Sequence, residues 1–162
     1  MKDVHNYYSL PGELEPDLSL VHAYWNGLKR GANDVPFWDD IKFSLRSRLG
    51  RESMLIDVFE NPLRFRFDLA GTDVTNWYGK AIGNSFLDEM DLHAPFDELA
   101  AQCKTTIERS APTYYCQTAF RKEDAGHLNG YARLLLPLWG NGRIEMLLGA
   151  VAINKATRRN PD

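Results

Sequence analysis

Three tyrosine hydroxyls are the groups in this chain best placed to orient a small molecule. Tyr114, Tyr115 and Tyr131 fall in segments that read as central strands, where an apolar pocket uses a few fixed polar groups to hold a ligand. The same hydroxyls can equally bond backbone. Catalytic patterns are absent around them. Gly83-Asn84-Ser85-Phe86-Leu87 lacks the closing glycine of a nucleophile elbow, and Gly140-Asn141-Gly142 lacks the third glycine and following helix of a dinucleotide loop, so both read as turns. His5, His22, His93 and His127 are scattered, without the i, i+4 spacing that puts two metal ligands on one helix face. Cys103 and Cys116 have no Cys-x-x-Cys partner and read as reduced, buried thiols. Asp57 and Asp68 are the only strand carboxylates of the first hairpin. The chemistry indicated is binding rather than catalysis, with no metal.

These groups need one folded core to hold them. The 162 residues suit a single domain, and 44% apolar with 25% charged residues is a globular balance. A net charge of −3 with acids and bases interleaved offers no positive surface for nucleic acid. The longest apolar run, 132–139, contains Arg133 and is far shorter than the roughly 20 residues that span a bilayer. The N-terminus lacks the apolar segment of a secretory signal, so a cytoplasmic location is expected.

The periodicity predicts four regions: a polar lead over 1–16, a helical extension over 17–50, a core over 54–153 and a tail over 154–162. Leu18, Val21, Trp25 and Leu28 recur at helical spacing over 17–30, with Gly31 as a C-cap. A second short helix is expected near Ile41, Phe43, Leu45 and Leu49. Strands follow at 54–59 and 63–69 around the turn Glu60-Asn61-Pro62, with Leu63, Phe65, Phe67 and Leu69 on one face. Helical turns are expected at 73–78 and 86–90. A longer helix should open at Pro95, with Asp97 and Glu98 at its positive end. Strands at 113–121, 130–139 and 144–153 complete the order β-β-α-α-α-β-β-β. Strand 130–139 is apolar on both faces, so both faces must be covered. The mid-chain helices can cover one and the N-terminal helix the other.

This order resembles the PAS (Per-Arnt-Sim) domain, an α+β fold whose five-stranded antiparallel sheet cups a small-molecule pocket. It is similar in particular to short single-domain bacterial PAS proteins of unassigned function. The residues carrying the likeness are Tyr24-Trp25-Asn26-Gly27-Leu28-Lys29-Arg30-Gly31, Pro36-Phe37-Trp38-Asp39-Asp40-Ile41, Leu69-Ala70-Gly71-Thr72, Tyr78-Gly79-Lys80-Ala81-Ile82-Gly83 and Leu136-Pro137-Leu138. The likeness runs from Leu18 to Ile153. Members often carry arginines at the positions of Trp38 and Asp68, which this chain lacks.

The resemblance implies a ligand pocket between the sheet and the intervening helices, lined by Phe65, Phe67, Trp77, Tyr78, Phe86, Met90, Tyr114, Cys116, Tyr131 and Met146. An aromatic core packed on itself would show the same pattern. Some PAS proteins bind haem through a helix histidine, but His93 stands ahead of Ala94-Pro95, in the cap region. Flavin photosensing needs a cysteine among the first helices, and none lies between Gly71 and Met90. The implied function is a non-catalytic sensory or regulatory module in signal transduction. It would bind a small ligand or a protein partner and dimerise through Leu18, Val21, Trp25 and Leu28 and the outer sheet face. Alternatives are a small NTF2-like enzyme with a cone-shaped pocket and a purely structural interaction domain.

Overall fold

A computed structural model describes residues 8–42, 44–117 and 128–155. The described residues form helices α1 (Pro16–Gly27), α2 (Thr72–Tyr78) and α3 (Leu99–Arg109). Five strands accompany them: β1 (Ser53–Phe59), β2 (Arg64–Ala70), β3 (Thr113–Gln117), β4 (Leu128–Gly140) and β5 (Arg143–Lys155). Short 3-10 turns occupy Trp38–Asp40 and Leu87–Glu89. The fold is α+β. One open antiparallel sheet runs β2-β1-β5-β4-β3, so the first and last strands lie side by side at its centre.

Two apolar clusters sandwich this sheet. The inner one joins Met54, Ile56, Phe65, Phe67, Leu135 and Leu147 to Val74 of α2, Phe96, and Leu99 and Cys103 of α3. The outer one joins Leu18, Val21 and Trp25 of α1 to Leu134, Leu136, Leu138 and Leu148. Alternation in β4 supplies both, and every residue from 130 to 138 is buried. A strand apolar on both faces is stable only between two layers.

Pro137 sits in this strand without breaking it. Trp139 donates its backbone N–H to Pro36 O at 2.8 Å, so alternate backbone groups at this end of β4 turn away from β5. The register of β3 stops at Leu135, and the missing proline N–H therefore costs no ladder bond. The Pro137 carbonyl accepts instead from the buried Trp25 indole N–H at 2.8 Å.

Several boundaries differ from those predicted. The first helix ends at Gly27, where the Leu28 N–H turns to Trp25 O, leaving Leu28 half-buried outside it. The helix expected at 41–49 does not form among the described residues there. Ile41 is extended, the Tyr24 hydroxyl bonds both the N–H and the carbonyl of Lys42, and Ser44 and Ser47 hydroxyls take nearby backbone groups. Such local side-chain bonds compete with helix formation. The long helix starts at Leu99 rather than Pro95, because Glu98 is left-handed. Leu69 leaves the core face: a bulge between Leu55 and Ile56 shifts the register, and Leu69 and Leu63 are exposed. The end of the strand expected at 113–121 lies outside the described residues.

Gly71 marks a crossing too close for any side chain. A Cβ there would stand 2.1 Å from Gly50 O and 2.4 Å from Arg51 O, both rigid backbone. Gly71→Ala is expected to destabilise the chain by about 1–3 kcal/mol, read as a lower urea midpoint with unchanged slope.

Candidate functional site

The inner face of the sheet gathers six of the ten expected pocket residues. Phe65, Phe67 and Tyr131 are buried there, and Trp77, Tyr78 and Met90 pack against them from the helical side. Phe96 fills the centre, edge-on to Phe67 at 6.3 Å and to Tyr78 at 5.8 Å between ring centres. His93 is exposed, stacked on Tyr78 at 5.4 Å and 8°.

The other four lie elsewhere, for reasons of strand parity. Tyr115 pairs with Arg133 and faces inward, which turns Tyr114 and Cys116 outward. Tyr114 packs on the outer cluster and donates to Glu15 Oε2 at 2.8 Å, while Cys116 is exposed. Met146 joins the outer cluster, because a register shift at Leu138/Trp139 puts it on the opposite face from Ile144. Phe86 lies at the sheet edge under the Arg64 guanidinium, 3.8 Å from it.

What joins the inner aromatics is a polar network that the residue pattern did not single out. Arg133 is wholly buried. Its Nε donates to Gln102 Oε1 at 2.7 Å and its Nη1 to Pro95 O at 2.9 Å. Gln102, also wholly buried, donates in turn to Thr113 Oγ1 at 3.1 Å and Arg133 O at 3.3 Å. Thr113 shares a 2.6 Å bond with Thr106. The Tyr131 hydroxyl donates to Asp97, which also receives Gln117 Nε2 at 3.4 Å. Asp97 thus turns toward the sheet instead of serving the start of α3.

The electrostatics follow from burial. Desolvation pulls the Arg133 pKa below its ordinary range, since a guanidinium out of water loses several kcal/mol of hydration. Burial, reinforced by the Asp97 hydrogen bond, pushes the Tyr131 hydroxyl well above the usual phenol range, which keeps it a neutral donor. Burial pushes the Cys103 thiol up to about 12, so it packs as an inert small side chain. The signal for this network was the charge inside the apolar run 132–139: on a strand buried on both faces, an arginine must be buried too.

The described cavity of about 200 Å³ lies between Asn33, Asp34, Val35 and Phe37 and the ring of Trp139, and borders the inner cluster through Val35. Leu18, Val21 and Trp25, expected either to cover the sheet or to make a dimer contact, pack on the chain's own sheet. Among the described residues no group of three His, Cys, Asp or Glu side chains could hold a metal, and no helix is long and apolar enough to cross a membrane.

A second titrating spot lies on the outer side. Burial and the neighbouring Asp17 and Asp73 carboxylates push the Glu52 pKa up to about 7. The folded chain then holds a proton that the unfolded chain releases above its ordinary value of 4.5. Stability should therefore fall as pH rises from about 4.5 to about 7 and level off above. Glu52→Gln should flatten that slope in urea titrations across the same window.

Comparison with family models, curated proteins and solved structures returned no match.

Proposed function

We propose that the chain is a non-catalytic PAS-type sensory or regulatory module. It binds a small ligand on the inner face of its sheet and passes the signal to a protein partner. The observation that carries this reading is the element order. Two strands, helical segments and three strands stand in the expected sequence, with α2 and α3 against one face of the sheet and α1 against the other. In this reading α1 is an extension belonging to the sensory unit. Any self-association would use other surface, such as exposed Leu20 or Trp38.

The placement of Asp57 in the first hairpin favours this reading over an NTF2-like enzyme. Asp57 is on the face opposite Ile56 and Val58 and accepts from Arg66 at 2.7 Å. An acid or base for a cone-shaped pocket would have to point the other way. Native mass spectrometry of the purified chain is the test: a co-purifying small molecule, released on denaturation, is expected. A bare mass, together with no stabilisation by any member of a metabolite library, would overturn the ligand-sensing role.

A further inference from the structure

Arg133 is the one buried cation among the described residues, and its chain leaves it incompletely paired. With Nε taken by Gln102 Oε1 and Nη1 by Pro95 O, its Nη2 has no acceptor. Two other arginines show how this chain completes the same fork. Arg30 offers Nε and Nη2 to the two oxygens of Asp40 at 2.8 and 2.7 Å. Arg64 offers its pair to Asp88, both at 2.8 Å. Those forks are solvent-exposed, where a carboxylate adds least. The buried fork, where an anion would interact most strongly, receives a single neutral amide oxygen. No carboxylate of the described residues forms an ion pair with it, since Asp97 is engaged by Tyr131 and Gln117.

The surroundings define what would complete it. The guanidinium lies over the rings of Tyr115 and Tyr131, 4.9 and 5.9 Å from their centres, so its surroundings are aromatic. Beside it, a separate set of bonds joins Tyr131 to Asp97 and Gln117 to Asp97 and Tyr115, and Asp97 and Gln117 are half-buried. One guanidinium neutralises one charge, so a monoanion fits better than a dianion. With Nε and Nη1 taken, the anion accepts from Nη2 alone.

We propose that Arg133 anchors a binding site for a small organic carboxylate, whose anionic group accepts from Nη2 and whose apolar body lies against Tyr115 and Tyr131. The inference deepens the sensory reading by naming its ligand class, and it rests on the ligand-binding half of that reading.

The full chain titrated with sodium benzoate, against sodium acetate, sodium phosphate and sodium chloride at equal ionic strength, tests it. Benzoate should raise the thermal midpoint by several degrees, more than acetate, with chloride and phosphate near baseline. Arg133→Lys, which keeps the charge but loses the fork, should bind benzoate about tenfold more weakly or worse. Arg133→Met should not respond. Should either variant fail to fold, the wild-type chain still decides. The arginine side-chain Nε–H resonance that shows a contact to Gln102 should shift saturably with benzoate. No such shift, a midpoint response equal to that of chloride, or an unchanged response in Arg133→Met would overturn the site. A phosphate response equal to that of benzoate would overturn the monoanionic carboxylate. A neutral co-purifying molecule without any benzoate response would overturn this site alone and leave the sensory module standing.

Discussion

Trp25→Ala is expected to cost about 3–5 kcal/mol of folding stability, in the range of large buried aromatics cut to alanine. The indole is 2% exposed and does two things at once. Its rings fill the space between α1 and the outer face of β4 and β5, and its N–H satisfies the Pro137 carbonyl. Trp25→Phe separates the two. It keeps most of the packing and orphans the carbonyl, so about 1–3 kcal/mol should be lost. Urea denaturation of the three proteins gives both numbers. A loss within about 0.5 kcal/mol for the alanine variant, the size expected of a surface substitution, would mean that α1 does not cover the sheet.

The second large effect is expected at Gln102. Gln102→Leu keeps the volume and removes the acceptor of the Arg133 Nε together with the donor to Thr113. It leaves a wholly buried guanidinium with one remaining bond, to Pro95 O, and should cost about 3 kcal/mol. The same substitution in an Arg133→Met background should cost much less, because the charge that needed the amide is gone. The two changes should therefore couple by at least about 1 kcal/mol in a double-mutant cycle. Simple additivity would show that Gln102 serves Thr113 and Thr106 rather than the arginine. The cycle reads a dependence within the core and requires no ligand.

The fold was legible wherever the pattern has a strong period. Leu18, Val21 and Trp25 at helical spacing, the alternation of Phe65 and Phe67, and the doubly apolar strand around Leu134, Leu135 and Leu136 each gave the right element. The segment 41–49 misled because its apolar spacing suits a helix, while the groups that prevent one, the Tyr24 hydroxyl and the Ser44 and Ser47 side chains, act through bonds that spacing does not encode. The faces of Tyr114 and Met146 depend on register, set by the pairing of Tyr115 with Arg133 and by the shift near Trp139, and alternation alone does not encode it. Arg133 was visible as an oddity in an apolar run. Its role depends on Gln102 and Pro95, both some thirty residues or more away, which only the folded chain brings together.

The placement of β1 beside β5, with α1 lying across β4 and β5, has a consequence for synthesis on the ribosome. Trp25 and its acceptor at Pro137 are 112 residues apart, and the central strand pair joins residue 53 to residue 150. The first contact cannot form until residue 137 has emerged, nor the second until residue 150 has. During that interval the β1–β2 hairpin has an unpaired edge, and α1 carries an apolar stripe with nothing beneath it. Both are the kind of surface that draws chaperones or aggregates. Long-range pairing of this kind also slows folding itself. The arrangement that buries both sheet faces in the finished molecule therefore leaves the nascent one exposed until its last strand is made.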